Sequence, residues 1–298
     1  MNLKQLRYVI VLANAGSFSK AASILNISQP SLSQYVKKIE QQLGVELFER
    51  SNGSVRITEA GRVYIDVGRK ILDLEHSMQN RFLDISENKS GTIIVGTSPF
   101  RSASFMPEVA ADFRQRYPGI HLSISEMETH DLFESAEHGE FDMCITNLPV
   151  DDRMFDYKII TEEEIVLAVK KDSELDLKLR NVVKDKIDIS SLDNENFVML
   201  TENQLMQKTL DNICTDYNLN LKTAVVVKSI QAQIEMVCSG MGAALVPEGI
   251  KKLCANRVSY YSLSADIPKR KLAVIYKKDK HLSVPMLDLI EIIKSKKW

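Results

Sequence analysis

Apolar residues recur at helical spacing over the first 43 positions, in three short blocks separated by polar breaks. Leu3, Leu6, Val9, Ile10 and Ala13 predict a helix over 3–15, stopped by Gly16. Ser17 or Ser19 can cap a second, whose Ala21, Ala22 and Leu25 form a small-residue face for close packing. Asn26 breaks that pattern. Ser28 then caps a third helix over 29–43, with Pro30 in its first turn and Gly44 as its stop. Leu32, Val36, Ile39 and Leu43 are expected to face inward, leaving Gln29, Ser31, Ser33, Gln34, Lys37 and Lys38 outside. The run Arg50-Ser51-Asn52-Gly53-Ser54-Val55-Arg56 predicts a hairpin, because Asn-Gly is a strong two-residue turn signal.

From 59 to about 89 the spacing predicts one long helix. Val63, Val67, Ile71, Leu74, Met78, Phe82 and Ile85 form a stripe at three-to-four spacing, with charged residues on the other faces. Val63 and Val67 could pack on the head, but the full stripe has no domain of its own to bury it. A partner helix is the simplest cover. The polar stretch 86–91 marks a boundary. Beyond it, short β runs alternate with helices: strands at 92–95, 121–125 and 143–146, helices at 105–116 and 130–137. A second block places strands at 165–169, 197–200, 224–227 and 243–246, and helices at 203–217 and 230–238. An apolar run at 272–276 and a helix at 285–293 close the chain. This βαβ pattern predicts parallel sheets.

The expected fold class is α+β and multidomain. A winged helix-turn-helix spans 1–58, a linker and dimerisation helix 59–89, and a two-lobed α/β domain 90–298. Lobe one is 92–161 plus 268–298, and lobe two is 162–267.

The outward face of the third helix points to DNA. Gln can bond adenine with both ends of its amide, and Ser hydroxyls can read base edges. An ordinary solvated helix face is the weaker reading, since no acid occurs before Glu40. The expected double-stranded DNA contacts are Ser28, Gln29, Pro30, Ser31, Ser33 and Gln34, with Lys37, Lys38, Arg50 and Arg56 on phosphates. Charge agrees: the overall −2 divides into +4 over residues 1–62 and −6 over the rest. A basic head on an acidic body suits a polyanion-binding head. The dispersed cysteines (Cys144, Cys214, Cys238, Cys254) fit reduced thiols. No apolar run approaches the roughly 18 residues of a membrane span, and the first residues lack the short apolar core and small-residue cleavage site of a signal peptide, so a cytosolic protein with no membrane partner is expected.

Residues 3–69 resemble the winged helix-turn-helix of LysR-type transcriptional regulators. The shared marks are Leu6-Arg7-Tyr8, Gly16-Ser17-Phe18, Ala21-Ala22, Ser28-Gln29-Pro30-Ser31-Leu32-Ser33, Leu43-Gly44, Leu47-Phe48-Glu49-Arg50 and Thr58-Glu59-Ala60-Gly61. Gln34 stands where the family often carries Arg, which removes one guanine or phosphate contact. The resemblance implies a linker helix pairing two subunits and a homodimer or homotetramer. It also implies an effector domain of the type 2 periplasmic-binding-protein fold and, for an activator, contact with RNA polymerase.

Ligands of open α/β sheets bind beyond the carboxyl ends of strands. Thr97 and Ser98, Thr129, Thr201, and Val246 with Pro247 follow such strand ends, and Thr146 closes another. Hydroxyls and backbone N–H groups at helix starts can hold a carboxylate, and Arg101 could add a full charge. Each Ser or Thr is also placed to be an ordinary helix cap. The family resemblance favours Thr97 and Ser98 as effector contacts. Phe100 and Phe105 either line an apolar part of the pocket or fill core. The expected effector is a small organic anion.

Enzyme readings lack support: Gly-x-Ser-x-Gly, the phosphate-binding Gly-x-x-x-x-Gly-Lys and His-Glu-x-x-His are all absent, and no cofactor or metal motif occurs. A solute-binding protein with a helical head, or an enzyme with one, are the remaining rivals. One branch of the family uses a cysteine pair as a redox sensor. Cys214 lies in that general region with no second Cys beside it, and reads as an inert thiol.

Overall fold

The computed structural model describes residues 2–51, 54–85, 90–182, 186–254, 256–264, 267 and 269–296. They fall in two compact units, Met1–Ile85 with Glu137–Glu140, and Ser86–Ala136 with Phe141–Trp298.

In the first unit the chain runs α1 (Leu3–Ala15), α2 (Phe18–Ile24), α3 (Gln29–Leu43), β1 (Phe48–Ser51), β2 (Ser54–Ile57) and α4 (Glu59–Ile85). Asn2 and Gln5 cap α1 reciprocally, each side chain accepting from the other's backbone N–H. Gly16 and Gly44 end α1 and α3 with φ of +61° and +73°, a conformation that side chains resist. Val9, Leu12, Ala21, Ala22, Leu32, Val36 and Ile39 form the core. Leu43 departs from the expected pattern: it is exposed, and Leu47 and Phe48 complete the core instead. Glu40 explains the substitution. Its carboxylate accepts from the backbone N–H groups of Leu47 (2.9 Å) and Phe48 (3.2 Å), folding the chain back over the end of α3.

β1 and β2 pair antiparallel as expected, with Arg50 opposite Val55; Asn52 and Gly53 lie outside the described residues. The Thr58 hydroxyl caps α4 by accepting from Gly61 N–H (2.9 Å) and donates to the Glu46 carbonyl (2.7 Å). A Cβ at Gly61 would run into the Leu47 carbonyl, so only glycine lets α4 start this close to the wing. α4 packs on the head through Tyr64, Ile65 and Leu72, while Gly68 lets Leu6 approach. The expected stripe lies elsewhere. Val63, Val67, Leu74, Met78 and Phe82 are all exposed, so even its first two residues do not pack on the head. Residues 86–89, the expected end of this helix, lie outside the described residues.

The second unit continues with β3 (Gly91–Thr97), α5 (Pro99–Ser104), α6 (Met106–Arg116), β4 (Ile120–Glu126), α7 (Thr129–Glu137), β5 (Met143–Asn147), β6 (Phe155–Glu163), β7 (Ile165–Lys170) and α8 (Glu174–Val182). It ends with β8 (Asn196–Leu200), α9 (Leu205–Asp216), β9 (Lys222–Val227), α10 (Ile230–Ser239), β10 (Ala244–Pro247), α11 (Lys251–Cys254), β11 (Val258–Ser262), β12 (Arg270–Lys277) and α12 (Val284–Ser295). One sheet has the order β4-β3-β5-β12-β6. Only β4, β3 and β5 are parallel; β12 runs antiparallel to both of its neighbours. The second lobe joins β10-β7-β11, all antiparallel, to parallel β8-β9 through a bridge between Phe197 and Ala243. The expectation of parallel sheets therefore holds for part of each lobe. α5, β6, α8, α11 and β11 were not anticipated. β6 is an edge strand with many charges and one open face, a pattern that reads as loop.

Along β7, Ile165, Leu167 and Val169 meet α8 and α9, while Val166 and Ala168 meet α10. That alternation explains its unbroken apolar run: both faces are covered. The helix expected over 105–116 is α6, over Met106–Arg116, with the six-residue α5 directly before it and Phe105 between the two. Phe105 enters the first lobe's core beside Val109 and Phe113. Phe100 enters the second lobe's core beside Val166, Val246 and Ile250.

Candidate functional sites

On the head, Gln29, Pro30, Gln34, Lys37, Lys38 and Arg56 are exposed, and Ser31 and Ser33 are half-buried. Of Arg50 only the backbone is described. The Ser28 hydroxyl accepts from Ser31 N–H (3.3 Å) and lies 2.7 Å from the Ser31 hydroxyl, so it works first as the cap of α3. Lys4 sits over the edge-to-face rings of Tyr8 and Tyr35, adding a cation beside the face.

The second unit contains a narrow cleft with about 50 Å³ of free space. Four helix starts line it: Ser98 and Pro99 of α5, Glu128 and Thr129 of α7, Gln204 and Leu205 of α9, and Ser229 and Ile230 of α10. Such starts carry partial positive charge and under-used N–H groups, which favour an anion. Below them lies a buried charge cluster. Arg101 pairs with Glu163, each side chain 5% exposed, and Arg270 approaches the same carboxylate oxygen at 3.4 Å. Asn147 donates to Glu163 (3.2 Å) and accepts from Arg270 (2.7 Å).

Two guanidinium groups thus share one carboxylate, leaving an excess positive charge at the cleft floor. Burial pushes the Glu163 carboxyl up, but Arg101, Arg270 and the bonds from Arg101 and Asn147 hold it below its ordinary value. Burial pulls Arg270 down to about 10; Glu163 opposes this and the charge of Arg101 adds to it. Arg270 therefore carries its charge at a cost that a bound anion would relieve. The other carboxylate of the cleft, Glu128, accepts from Gln204 across the opening.

Among the expected effector residues, Ser98, Phe100, Arg101, Thr129 and Thr146 come together around this cleft. Three do not. Thr97 is fully buried and its hydroxyl donates to the Ile145 carbonyl (3.3 Å) inside the sheet. The Thr201 hydroxyl donates to Asn203 (2.8 Å) in the turn before α9. Val246 faces the second lobe's core, and the next residue, Pro247, lines the cleft in its place, as alternation along a strand requires.

Residues 86–298 match the LysR substrate binding domain, and residues 3–62 match the bacterial regulatory helix-turn-helix protein, lysR family. The chain belongs to the LysR family of transcriptional regulators.

One relative is the "Uncharacterized HTH-type transcriptional regulator YcgK" of Bacillus subtilis (strain 168), 28% identical over 98% of this chain and 94% of that protein. The "Probable RuBisCO transcriptional regulator" of Porphyra purpurea is 30% identical over 94% of this chain and 89% of its own. A full-length OxyR variant from Pseudomonas aeruginosa superposes with a TM-score of 0.70 at 25% identity, covering 99% of this chain and 93% of that one. LysR proteins are DNA-binding regulators and not enzymes, and this one has both the DNA-binding and the substrate-binding parts. Among the described residues no helix is long and apolar enough to cross a membrane.

Sequence reasoning missed Glu163, Asn147, Arg270, Gln204 and Ser229 of this LysR cleft. Asn147 and Ser229 obey the same strand-end rule that singled out Thr146 and Thr129, and could have been found by it. Glu163 could not: it is the middle acid of Glu162-Glu163-Glu164, which reads as a solvated run.

Proposed function

We propose that this LysR regulator binds a small organic anion in the cleft above Arg101 and Arg270, and that occupancy alters its hold on operator DNA. The observation that supports it best is the pair of arginines, Arg101 buried and Arg270 half-buried, sharing Glu163 beneath four helix starts. A carboxylate entering there meets an uncompensated cation, and its short apolar body would lie against Phe100, Leu132 and Met206. The contacts assigned are Ser98, Phe100, Arg101, Thr129, Thr146 and Arg270. The division into head (1–58), connecting helix (59–89) and effector part (90–298, lobe one 92–161 and 268–298, lobe two 162–267) belongs to the same reading. Two chains pair through the exposed stripe of α4, as a dimer or within a tetramer, in the cytoplasm. Where the output is activation, the further partner is RNA polymerase. DNA state and anion affinity must then be coupled in both directions.

A thermal-shift panel of small carboxylates tests the anion. A ligand at about 100 times its Kd adds about 2.7 kcal/mol, or roughly 5–11 °C for a unit of this size. Arg270→Met should keep or raise the melting point of the empty protein, because it removes the excess buried charge, while abolishing the ligand shift. A full shift in that variant would move the anion elsewhere.

For the head, Gln29, Ser31, Ser33 and Gln34 read base edges, with Lys37, Lys38, Arg50 and Arg56 on phosphates. Arg56→Ala should weaken all DNA sequences alike and reduce the slope of log affinity against log salt by about 1. An unchanged slope removes Arg56 from the phosphate contacts.

A further inference from the structure

Cys238 and Cys254 lie together in the second lobe, at the end of α10 away from the cleft. Glu235 and Cys238 are three residues apart on one face of α10, and Cys254 is the last residue of α11. One carboxylate oxygen of Glu235 and the two sulfurs are all within 4.8 Å of one another. Glu235 is exposed, Cys238 half-buried and Cys254 buried, so the group opens to solvent along its carboxylate side.

We propose that Glu235, Cys238 and Cys254 form a three-ligand site for a thiophilic divalent cation such as zinc(II). Two sulfurs exclude magnesium and calcium, which want oxygen ligands. Zinc–sulfur bonds of about 2.3 Å at a tetrahedral centre put the sulfurs roughly 3.8 Å apart, so side-chain rotation closes the present spacing. Charge also balances. The cation displaces one proton from each thiol, so two positive charges enter as two leave, and both thiolates and the carboxylate become ligands.

One further group suits the loaded state. Arg257 bonds both oxygens of Glu235 (3.0 and 2.6 Å) and also reaches the Cys254 sulfur at 3.9 Å. It can keep one carboxylate oxygen while the other turns to the metal, and it stays as the counter-charge for a thiolate. With three protein ligands the fourth position is left for water, which suits an exchangeable ion better than a permanent structural one.

The test is a zinc(II) titration of the reduced full-length protein in competition with a chromophoric chelator, with proton release and thiol labelling followed in parallel. The expected result is one zinc per chain, about two protons released per zinc, and loss of labelling at Cys238 while Cys214 labels as before. Cadmium(II) in place of zinc should add ultraviolet sulfur-to-metal absorption. Cys238→Ser should abolish both signals. Glu235→Gln, a surface change that leaves the core intact, should weaken zinc without preventing folding. Zinc uptake unchanged in Cys238→Ser overturns the proposal, as does unprotected Cys238 labelling. Formation of a Cys238–Cys254 disulfide by a protein that takes up no zinc overturns it as well.

Discussion

Glu163→Gln should destabilise the second unit by about 3–5 kcal/mol, the cost of leaving a buried charge without its partner. For about 200 residues that is a fall of roughly 6–20 °C in Tm. Gln keeps the shape and can still accept from Asn147, so the loss is one of charge. Arg101 and Arg270 would then face each other with no anion between them. The sign with pH follows from the depressed carboxyl. Glu163's contribution is fully present above the ordinary carboxylate range and is lost as pH falls through its lower folded value. The gap between the parent protein and Glu163→Gln should therefore be widest near neutral pH and narrow in acid. Adding Arg270→Met to Glu163→Gln should recover part of the loss, because it removes one of the two stranded cations. Small carboxylates should also stabilise Glu163→Gln more than the parent. Melting points within about 1 °C of each other at neutral pH would mean that the three charges are solvated and not coupled.

Replacing Leu74, Met78 and Phe82 together by Gln should leave the protein monomeric and weaken operator binding by about 10²–10⁴-fold. Two linked heads bind the second half-site at high effective concentration, and a monomer forfeits that gain. These three side chains are 70%, 51% and 54% exposed in the single chain, a row of apolar surface that a helix partner would cover. Gln keeps helix propensity and net charge, so a change in DNA affinity would not come from electrostatics. The head's own core uses Tyr64, Ile65 and Leu72 on another face of α4, so its melting should barely move. Sedimentation gives the oligomeric state, and a gel shift at two salt concentrations gives the affinity. A dimer that survives the triple substitution would place the subunit contact off this stripe.

The helical head was legible at the level of single residues. Observed α1 and α3 have the expected limits because their signals are local: the period, Ser28, Pro30, Gly16 and Gly44 all act within a few positions of the backbone they shape. Leu43 was misread because its fate depends on Leu47 and Phe48 returning over the helix end, drawn there by Glu40. The long apolar stripe of α4 was visible, but the face that α4 gives to its own head was not.

The candidate cleft was legible only as a class of place. Strand ends followed by Ser or Thr are visible in a sequence, and Ser98, Thr129 and Thr146 reached one cavity. Whether Thr97 or Ser98, Val246 or Pro247, turns toward it depends on one step of strand alternation, which neighbouring strands settle. The charge cluster lay further out of reach. Arg101 and Glu163 are 62 positions apart, and Arg270 meets Asn147 across 123. By itself the sequence determined a basic helical head, a long amphipathic helix and two α/β lobes, since these rest on periodicity and on caps that act locally. Only the tertiary structure decided which charges are buried and shared, because a carboxylate's energy depends on what distant parts of the chain bring beside it.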